Sequence, residues 1–288
     1  MKLRNKRILI FGEGSYIGTK FQEYLKNNEE YQIDVIDSMN EKWRRANFSK
    51  YDVVYHVAGI AHVSADPKME ELYYKVNRDL PIEVAKKAKN EKVKQFIFMS
   101  SMIIYGADGK IGVKKVIDDK TEKEPIDFYG KSKSEADEAI QKLEDENFKT
   151  IIIRTPMVYG PGCKGNFPKL KKIAKISPIF PDIENERSMI YIDNLCEFLK
   201  QVIDKEETGI FYPQNKEYAT TKNIIKTMAN VMEKKVFYIR IFNPLLRLLS
   251  KKINYINKIF GNKVYDKKLS GDFSYCVVNF EESIRRSI

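Results

Sequence analysis

The sequence predicts an α/β fold, a doubly wound parallel sheet with a smaller C-terminal lobe, and three observations predict it. Runs rich in Ile, Val, Phe and Tyr recur at 7–11, 31–36, 52–57, 95–100 and 150–155. Apolar on both faces, they suit strands of a parallel sheet covered by helices on either side. Stretches of helical period separate them, at 18–28, at 68–90 with Pro81 offsetting one turn, and at 129–146. Such βαβ repetition winds onto a single sheet. The first run leads directly into Gly12-Glu13-Gly14-Ser15-Tyr16-Ile17-Gly18, a strand-to-helix turn.

After Gly160 the periodicity lapses among Pro161, Pro168, Pro178 and Pro181, and the sheet domain is expected to hand over to a second lobe there. Residues 1–162 form the expected nucleotide-binding domain, with 188–213 (a helix at 192–204, a strand at 209–212) returning to it. Residues 163–187 and 214–288 form the lobe, with helices at 220–233 and 244–259. A chain of 288 residues accommodates either one large α/β domain or this division.

Fifty-one basic against 40 acidic residues give a net charge of +11, which suits an anionic ligand, an anionic membrane or nucleic acid. The lysines are spread along the chain rather than gathered on one arm between aromatic platforms, so a nucleic-acid partner is not expected. Cys163, Cys196 and Cys276 are odd in number and far apart, indicating neither a disulfide framework nor a zinc site and fitting a reducing, cytoplasmic compartment. The only histidines are His56 and His62; no metal is expected, His56 reads as a strand-end imidazole, and His62 lies in a loop within reach of a ligand. The apolar run at 8–11 is too short for a signal-peptide core or a membrane span. The stretch 242–252, apolar with basic flanks, is expected to be a buried helix of the lobe, the alternative being an amphipathic helix on an anionic membrane.

Gly12, Gly14 and Gly18 sit where backbone must approach a pyrophosphate, and the helix that starts at Ser15-Tyr16-Ile17 would offer it amide donors and partial positive charge. By themselves these glycines also suit a plain tight turn. Asp37 closes the second strand, where a carboxylate accepts hydrogen bonds from an adenosine ribose, which favours NAD. Arg44 and Arg45 lie close enough in sequence to take a 2′-phosphate, which keeps NADP open.

Downstream, Tyr129 precedes Lys133 by four residues, a spacing that puts both on one helical face. An ammonium beside a phenol, whose ordinary pKa is near 10, favours its phenolate and makes a general acid/base. Ser101 ends an apolar strand at the ligand-binding edge of the sheet, placed to hydrogen-bond a hydroxyl or, more plainly, to cap a turn.

These residues, with His56-Val57-Ala58-Gly59, Asn77, Ser101-Met102-Ile103-Ile104-Tyr105-Gly106, Arg154, Tyr159-Gly160-Pro161 and Arg187-Ser188-Met189-Ile190-Tyr191-Ile192-Asp193-Asn194-Leu195, resemble the extended short-chain dehydrogenase/reductases. Within that group the likeness is to the NAD-dependent epimerase/dehydratase family, typified by UDP-galactose 4-epimerase, and covers most of the chain. The resemblance implies a Rossmann domain, a nucleotide-diphosphate sugar substrate, polysaccharide precursor synthesis and a homodimer. It implies that Ser101, Tyr129 and Lys133 form the catalytic triad, with Lys133 also on the nicotinamide ribose. By the same likeness Ala58 and Gly59 line the cofactor, Asn77 supports the site, and Asn47 and Phe48 contact adenine, Asn47 replacing the usual Asp. Asn166 and Arg187 would reach the nucleotide diphosphate.

Two departures from the family pattern are informative. Ser15 stands at the middle glycine position of the usual Gly-x-x-Gly-x-x-Gly, with Gly14 just before it. Met102 and Ile103 stand where 4,6-dehydratases carry an Asp-Glu pair; neither side chain transfers a proton, so dehydration is disfavoured. A 4-epimerase is expected, with an NAD(P)H-dependent 4-keto-sugar reductase next and a non-catalytic NAD(H)-binding regulator last.

Overall fold

A computed structural model describes residues 5–61 and 66–288; His62 lies outside them. In chain order it contains β1 (Lys6–Phe11), α1 (Tyr16–Leu25), β2 (Tyr31–Ile36), β3 (Val53–His56), α2 (Glu70–Tyr74), α3 (Leu80–Asn90), β4 (Gln95–Ser101), β5 (Lys114–Ile117) and α4 (Phe128–Gln141). There follow β6 (Lys149–Thr155), β7 (Met157–Tyr159), α5 (Asn166–Ile176), β8 (Ile179–Pro181), β9 (Met189–Tyr191), α6 (Ile192–Asp204) and β10 (Gly209–Phe211). The chain closes with α7 (Thr221–Val231), β11 (Phe237–Ile239), α8 (Asn243–Leu249), α9 (Asn254–Phe260), β12 (Asn262–Tyr265) and α10 (Phe280–Arg286).

These elements fall into two compact units. The first takes the chain up to Gly106, Glu122–Thr155 and Cys196–Pro213. Its sheet runs β10-β6-β4-β3-β1-β2, every neighbouring pair parallel. Register explains why its central strands are apolar at successive positions. Leu9, Phe11, Val54, Phe96, Phe98 and Ile152 share one buried face with Trp43 and Phe48, while Ile8, Ile10, Val53, Tyr55, Ile97, Ile151 and Ile153 are buried at the alternate positions. Both faces are therefore covered, as a doubly wound sheet requires. Strand order reverses between β1 and β3, so the crevice for a ligand opens at their C-terminal ends, where the Gly12 turn and Ala58-Gly59 emerge.

The second unit comprises Ala107–Thr121, Pro156–Leu195 and Gln214–Ile288. Three parallel two-stranded ladders, β5 with β12, β7 with β9 and β8 with β11, bind its segments together. Residues 107–121, inside the range expected for the first domain, belong here because β5 pairs with β12 from Lys114↔Asn262 to Ile117↔Tyr265. Residues 156–162 and 188–195 also fall in this unit.

Three helices differ from expectation. The span 68–90 is broken: α2 and α3 flank a π turn at Lys75–Asp79, closed by Leu80 N–H donating to the Lys75 carbonyl. Pro81 has no N–H for the Asn77 carbonyl, and the wider turn absorbs the mismatch. Helix α4 stops at Gln141, where Phe148 and Asp145 pair in a turn. The span 244–259 divides into α8 and α9: Ser250 Oγ donates to the Arg247 carbonyl (2.7 Å), and Asn257 Nδ2 donates to the Ser250 carbonyl (2.8 Å). Nor is 242–252 a buried helix, for α8 has no buried residue. Among the described residues no helix is long and apolar enough to cross a membrane.

Candidate active site

The turn after β1 is shaped by a close approach that only glycine permits. At Gly12 φ is +133°, and a Cβ there would lie 2.7 Å from the Ala58 backbone nitrogen. The N–H groups of Gly12 and Glu13 both donate to the Ile36 carbonyl, at 3.1 and 3.2 Å, tying this turn to the end of β2. Gly14, at φ +71°, faces open space. A Cβ on Gly18 would lie 2.9 Å from Val57 Cγ1, so α1 lies tightly on the sheet. Ser15 begins α1 without capping it through its side chain, and its buried hydroxyl has no hydrogen-bond partner among the described residues. Tyr16 and Ile17 then open the helix with amides that have no intrahelical acceptor. A helix start without a side-chain cap, a turn closed to a Cβ at Gly12 and Gly18 and an orphaned hydroxyl together fit a pyrophosphate.

Asp37, just past β2, accepts from the Met39 N–H and from Asn40 Nδ2, both at 2.7 Å. Each carboxylate oxygen keeps a second lone pair for a ribose hydroxyl. Arg44, one of the two arginines that kept NADP open, is committed elsewhere. It makes a bidentate pair with Glu83 at 2.6 and 2.7 Å, reaches Glu41 and lies over the Trp43 ring. Asn47 is exposed, its Oδ1 taken by the N–H and hydroxyl of Ser49. Phe48 departs from its expected role on adenine: its ring is buried in the core, and its N–H donates to Glu91. Phe48 is here a plug between the sheet and α3. Gly12→Ala is expected to weaken NAD binding by roughly 10- to 100-fold, from a strained backbone and the Ala58 clash, with calorimetric titration as the measurement.

Asn77, wholly buried at the π turn, accepts from the Ile60 N–H (3.0 Å) and donates to the Ile60 carbonyl (2.9 Å). It thereby clamps the loop after β3. A Cβ on Gly59 would stand 3.0 Å from Asn77 Oδ1 and 3.4 Å from Lys133 Nζ. Gly59, Asn77 and Lys133 are thus neighbours, although 18 and 56 residues separate Asn77 from the other two.

Asp127 caps α4 by accepting from the Gly130 N–H at 2.8 Å, which fixes where the helix starts and so where Tyr129 and Lys133 point. Ser101, the last residue of β4, accepts from the Ile103 N–H at 3.3 Å. The turn-capping reading of this serine is therefore realised. Burial pushes the Tyr129 phenol up to about 12, and the nearby Ser101 hydroxyl offsets only part of that shift. This reverses the expected activation by Lys133. The ammonium instead donates to the Met99 carbonyl at 2.9 Å and lies over the Phe98 ring. Burial also pulls Lys133 down to about 8, against the pull of Asp137.

Because the folded-state pKa of Lys133, about 8, lies below its ordinary 10.5, the unfolded chain binds more protons between those values. The stability cost of this buried charge is then full below about pH 8 and relieved as pH rises towards 10.5. Lys133→Met is accordingly expected to stabilise the cofactor-free protein at neutral pH, with the advantage shrinking across that window in unfolding titrations.

Beneath Lys133 lies a pair that sequence reading missed. Asp137, one helical turn on, is wholly buried and binds Arg154 of β6 bidentately, Nε to Oδ2 at 3.0 Å and Nη2 to Oδ1 at 2.7 Å. Ser100 and Gln141 also donate to this carboxylate, each at 2.7 Å, and Arg154 Nη1 donates to the hydroxyls of Tyr105 and Tyr212. The signal available was a carboxylate on the same inward stripe as Tyr129 and Lys133.

His56, at the end of β3, is buried against Phe11, Phe96 and Phe98. Burial and then the Lys133 charge pull its pKa down to about 3, so the ring is neutral and a core residue. In the second unit, Asn166 at the start of α5 and Arg187 line one pocket together with Lys169, Thr221 and Lys258. Arg187 donates to the carbonyls of Gly261 (3.2 Å) and Asn257 (2.9 Å), with Asp108 at 3.7 Å, and burial lowers its pKa.

The model of the NAD-dependent epimerase/dehydratase family matches residues 8–212. This chain belongs to that family. It is 30% identical over 303 residues to the UDP-glucose 4-epimerase of Vibrio cholerae, covering 97% of this chain and 90% of that one. It is 26% identical over 281 residues to the N-acetyl-alpha-D-glucosaminyl-diphospho-ditrans,octacis-undecaprenol 4-epimerase of Escherichia coli O157:H7, covering 90% and 82%. Its fold matches that of the UDP-glucuronic acid 4-epimerase from Bacillus cereus in complex with NAD, at a TM-score of 0.74 and 19% identity over 98% of this chain and 94% of that one. A dTDP-4-dehydrorhamnose reductase from Clostridium acetobutylicum has the same fold, at 0.73 and 18% identity over 97% of each chain. As a family member the protein is an NAD-dependent enzyme with a Rossmann sheet.

Proposed function

We propose that this enzyme is a 4-epimerase of a nucleotide-diphosphate sugar, a UDP-hexose or UDP-N-acetylhexosamine, working through a 4-keto sugar. The observation that carries this reading is the placement of Tyr129 and Lys133 one turn apart on α4, with Ser101 ending β4 and Gly59 and Asn77 gathered at the Lys133 ammonium. The two similar 4-epimerases, both named for a sugar carried on a diphosphate, support it. Gly12, Gly14, Ser15, Tyr16, Ile17, Gly18, Asp37, Ala58, Gly59 and Asn77 would hold the cofactor. When bound, NAD supplies reversible hydride transfer at sugar C4 and a positively charged nicotinamide ring.

Tyr129 Oη then removes the proton of the 4-hydroxyl and later returns it, while Ser101 Oγ hydrogen-bonds the same sugar oxygen. Lys133, still largely ammonium at neutral pH given its value of about 8, would hold the nicotinamide ribose. Met102 and Ile103 offer no acid or base beside Ser101, so no water is eliminated from the sugar. Asn166, Lys169 and Arg187 would take the diphosphate and its neighbours.

Freshly purified protein is expected to interconvert C4 epimers of a UDP-sugar without added cofactor and to release NAD on denaturation, as read by mass spectrometry. Stoichiometric oxidation of added NADH or NADPH by a 4-keto sugar, with no epimerisation, would replace this reading with that of a reductase.

A further inference from the structure

One stretch of the second unit is used by none of the chemistry above. Between Lys234 and Lys252 there is no Asp or Glu, while Lys234, Lys235, Arg240, Arg247, Lys251 and Lys252 are all basic, and all six are exposed. Large apolar side chains are exposed in the same stretch: Phe237 by 64%, Ile241 by 79%, Leu245 by 53% and Leu248 by 62%. Leu245 and Leu248, three residues apart, share a face of α8. Phe237 on β11 stands opposite the exposed Ile179 of β8. Asn243 Nδ2 donates to the Asp182 carbonyl at 2.8 Å, and the Asp182 N–H donates to the Ile239 carbonyl at 2.9 Å. The start of α8 is therefore held on the β8–β11 ladder, and the leucines are presented from a fixed support.

Charge decides what such a face can meet. Asp182 is the carboxylate against this stretch, and it is engaged by Lys222 (2.6 Å) and Arg240 (2.9 Å). That leaves five basic side chains around the apolar residues. Two copies of this face brought together would set those like charges against each other. An anionic lipid surface complements them, and it also takes up the apolar side chains below its headgroups. With seven residues, α8 is far too short to span a bilayer but long enough to lie in its interface.

We propose that the face formed by β11 and α8 docks this enzyme on an anionic bilayer, with Ile241, Leu245 and Leu248 among the acyl chains and Arg247, Lys251 and Lys252 on lipid phosphates. The inference goes beyond the epimerase reading and does not depend on it. The test is flotation of the full chain with vesicles of phosphatidylcholine alone or mixed with phosphatidylglycerol, at low and high salt.

Wild-type protein is expected to float with the mixed vesicles, less at high salt, and to stay down with phosphatidylcholine alone. The double variant Leu245→Glu/Leu248→Glu is expected to lose at least about tenfold in partitioning, with NAD binding and thermal unfolding unchanged. Arg247→Gln/Lys251→Gln/Lys252→Gln leaves the apolar face intact and guards against misfolding of the first variant. At about fivefold per charge, it is expected to lose on the order of 100-fold on the anionic vesicles. Failure of the wild type to float, or equal flotation of the folded variants, would overturn the proposal. So would a wild-type dimer that the leucine variant turns into a monomer, since a second copy would then cover this face.

Discussion

Tyr129→Phe is expected to reduce turnover by about 10²- to 10⁴-fold, the range carried by one positioned general acid/base. Nucleotide-sugar and NAD affinities should stay near wild type, because the ring remains packed edge-on against Tyr73, 5.8 Å between centroids, and only the hydroxyl is removed. Thermal stability should hold, since burial already disfavours ionisation of this phenol and Ser101 keeps the Ile103 N–H. Steady-state kinetics beside ligand titration reads the split between kcat and binding. Wild-type turnover in this variant would remove Tyr129 from the proton-transfer role and revive the reading of a non-catalytic NAD(H) binder.

The second large effect is on stability. Asp137→Ala leaves the Arg154 guanidinium, 5% exposed, without its carboxylate. Breaking one partner of such a buried pair costs about 3–5 kcal/mol, mostly the penalty of the charge left behind. The double variant Asp137→Leu/Arg154→Met should recover much of that loss, because it removes both charges together. Asp137 also raises the pKa of Lys133. In a folded Asp137→Asn protein the alkaline fall in activity should therefore begin at lower pH than in the wild type, and a pH–rate profile measures this shift. A purely structural role for Asp137 would leave that profile in place.

Much of the fold was legible because its signals are local. The strand runs and the Gly12–Gly18 turn depend on residues adjacent in sequence, and the Tyr129–Lys133 spacing depends only on helical periodicity. The corrections concern relations between distant segments. Phe48 reads as a ligand contact until β1 and α3 close around it, and Arg44 reads as a phosphate donor until Glu83 arrives from 39 residues away. A helix at 244–259 satisfies periodicity, but side-chain hydrogen bonds at Ser250 and Asn257 divide it. Asp137 and Arg154 become a pair only once β6 aligns with β4, Ser100 opposite Arg154.

The sequence by itself determined the doubly wound sheet, the glycine turn at its nucleotide end and a tyrosine and lysine on one helical face, since each follows from spacing within a single element or its neighbour. Only the tertiary structure decided the electrostatics of that face. Whether a phenol is raised or lowered depends on what excludes water around it and where the nearest charge comes to rest. Here Tyr129 is raised by burial, and Lys133 donates one hydrogen bond to the Met99 carbonyl. The same dependence on surroundings left the apolar residues of α8 facing outwards, because periodicity shows that a helix has an apolar face but not what covers it.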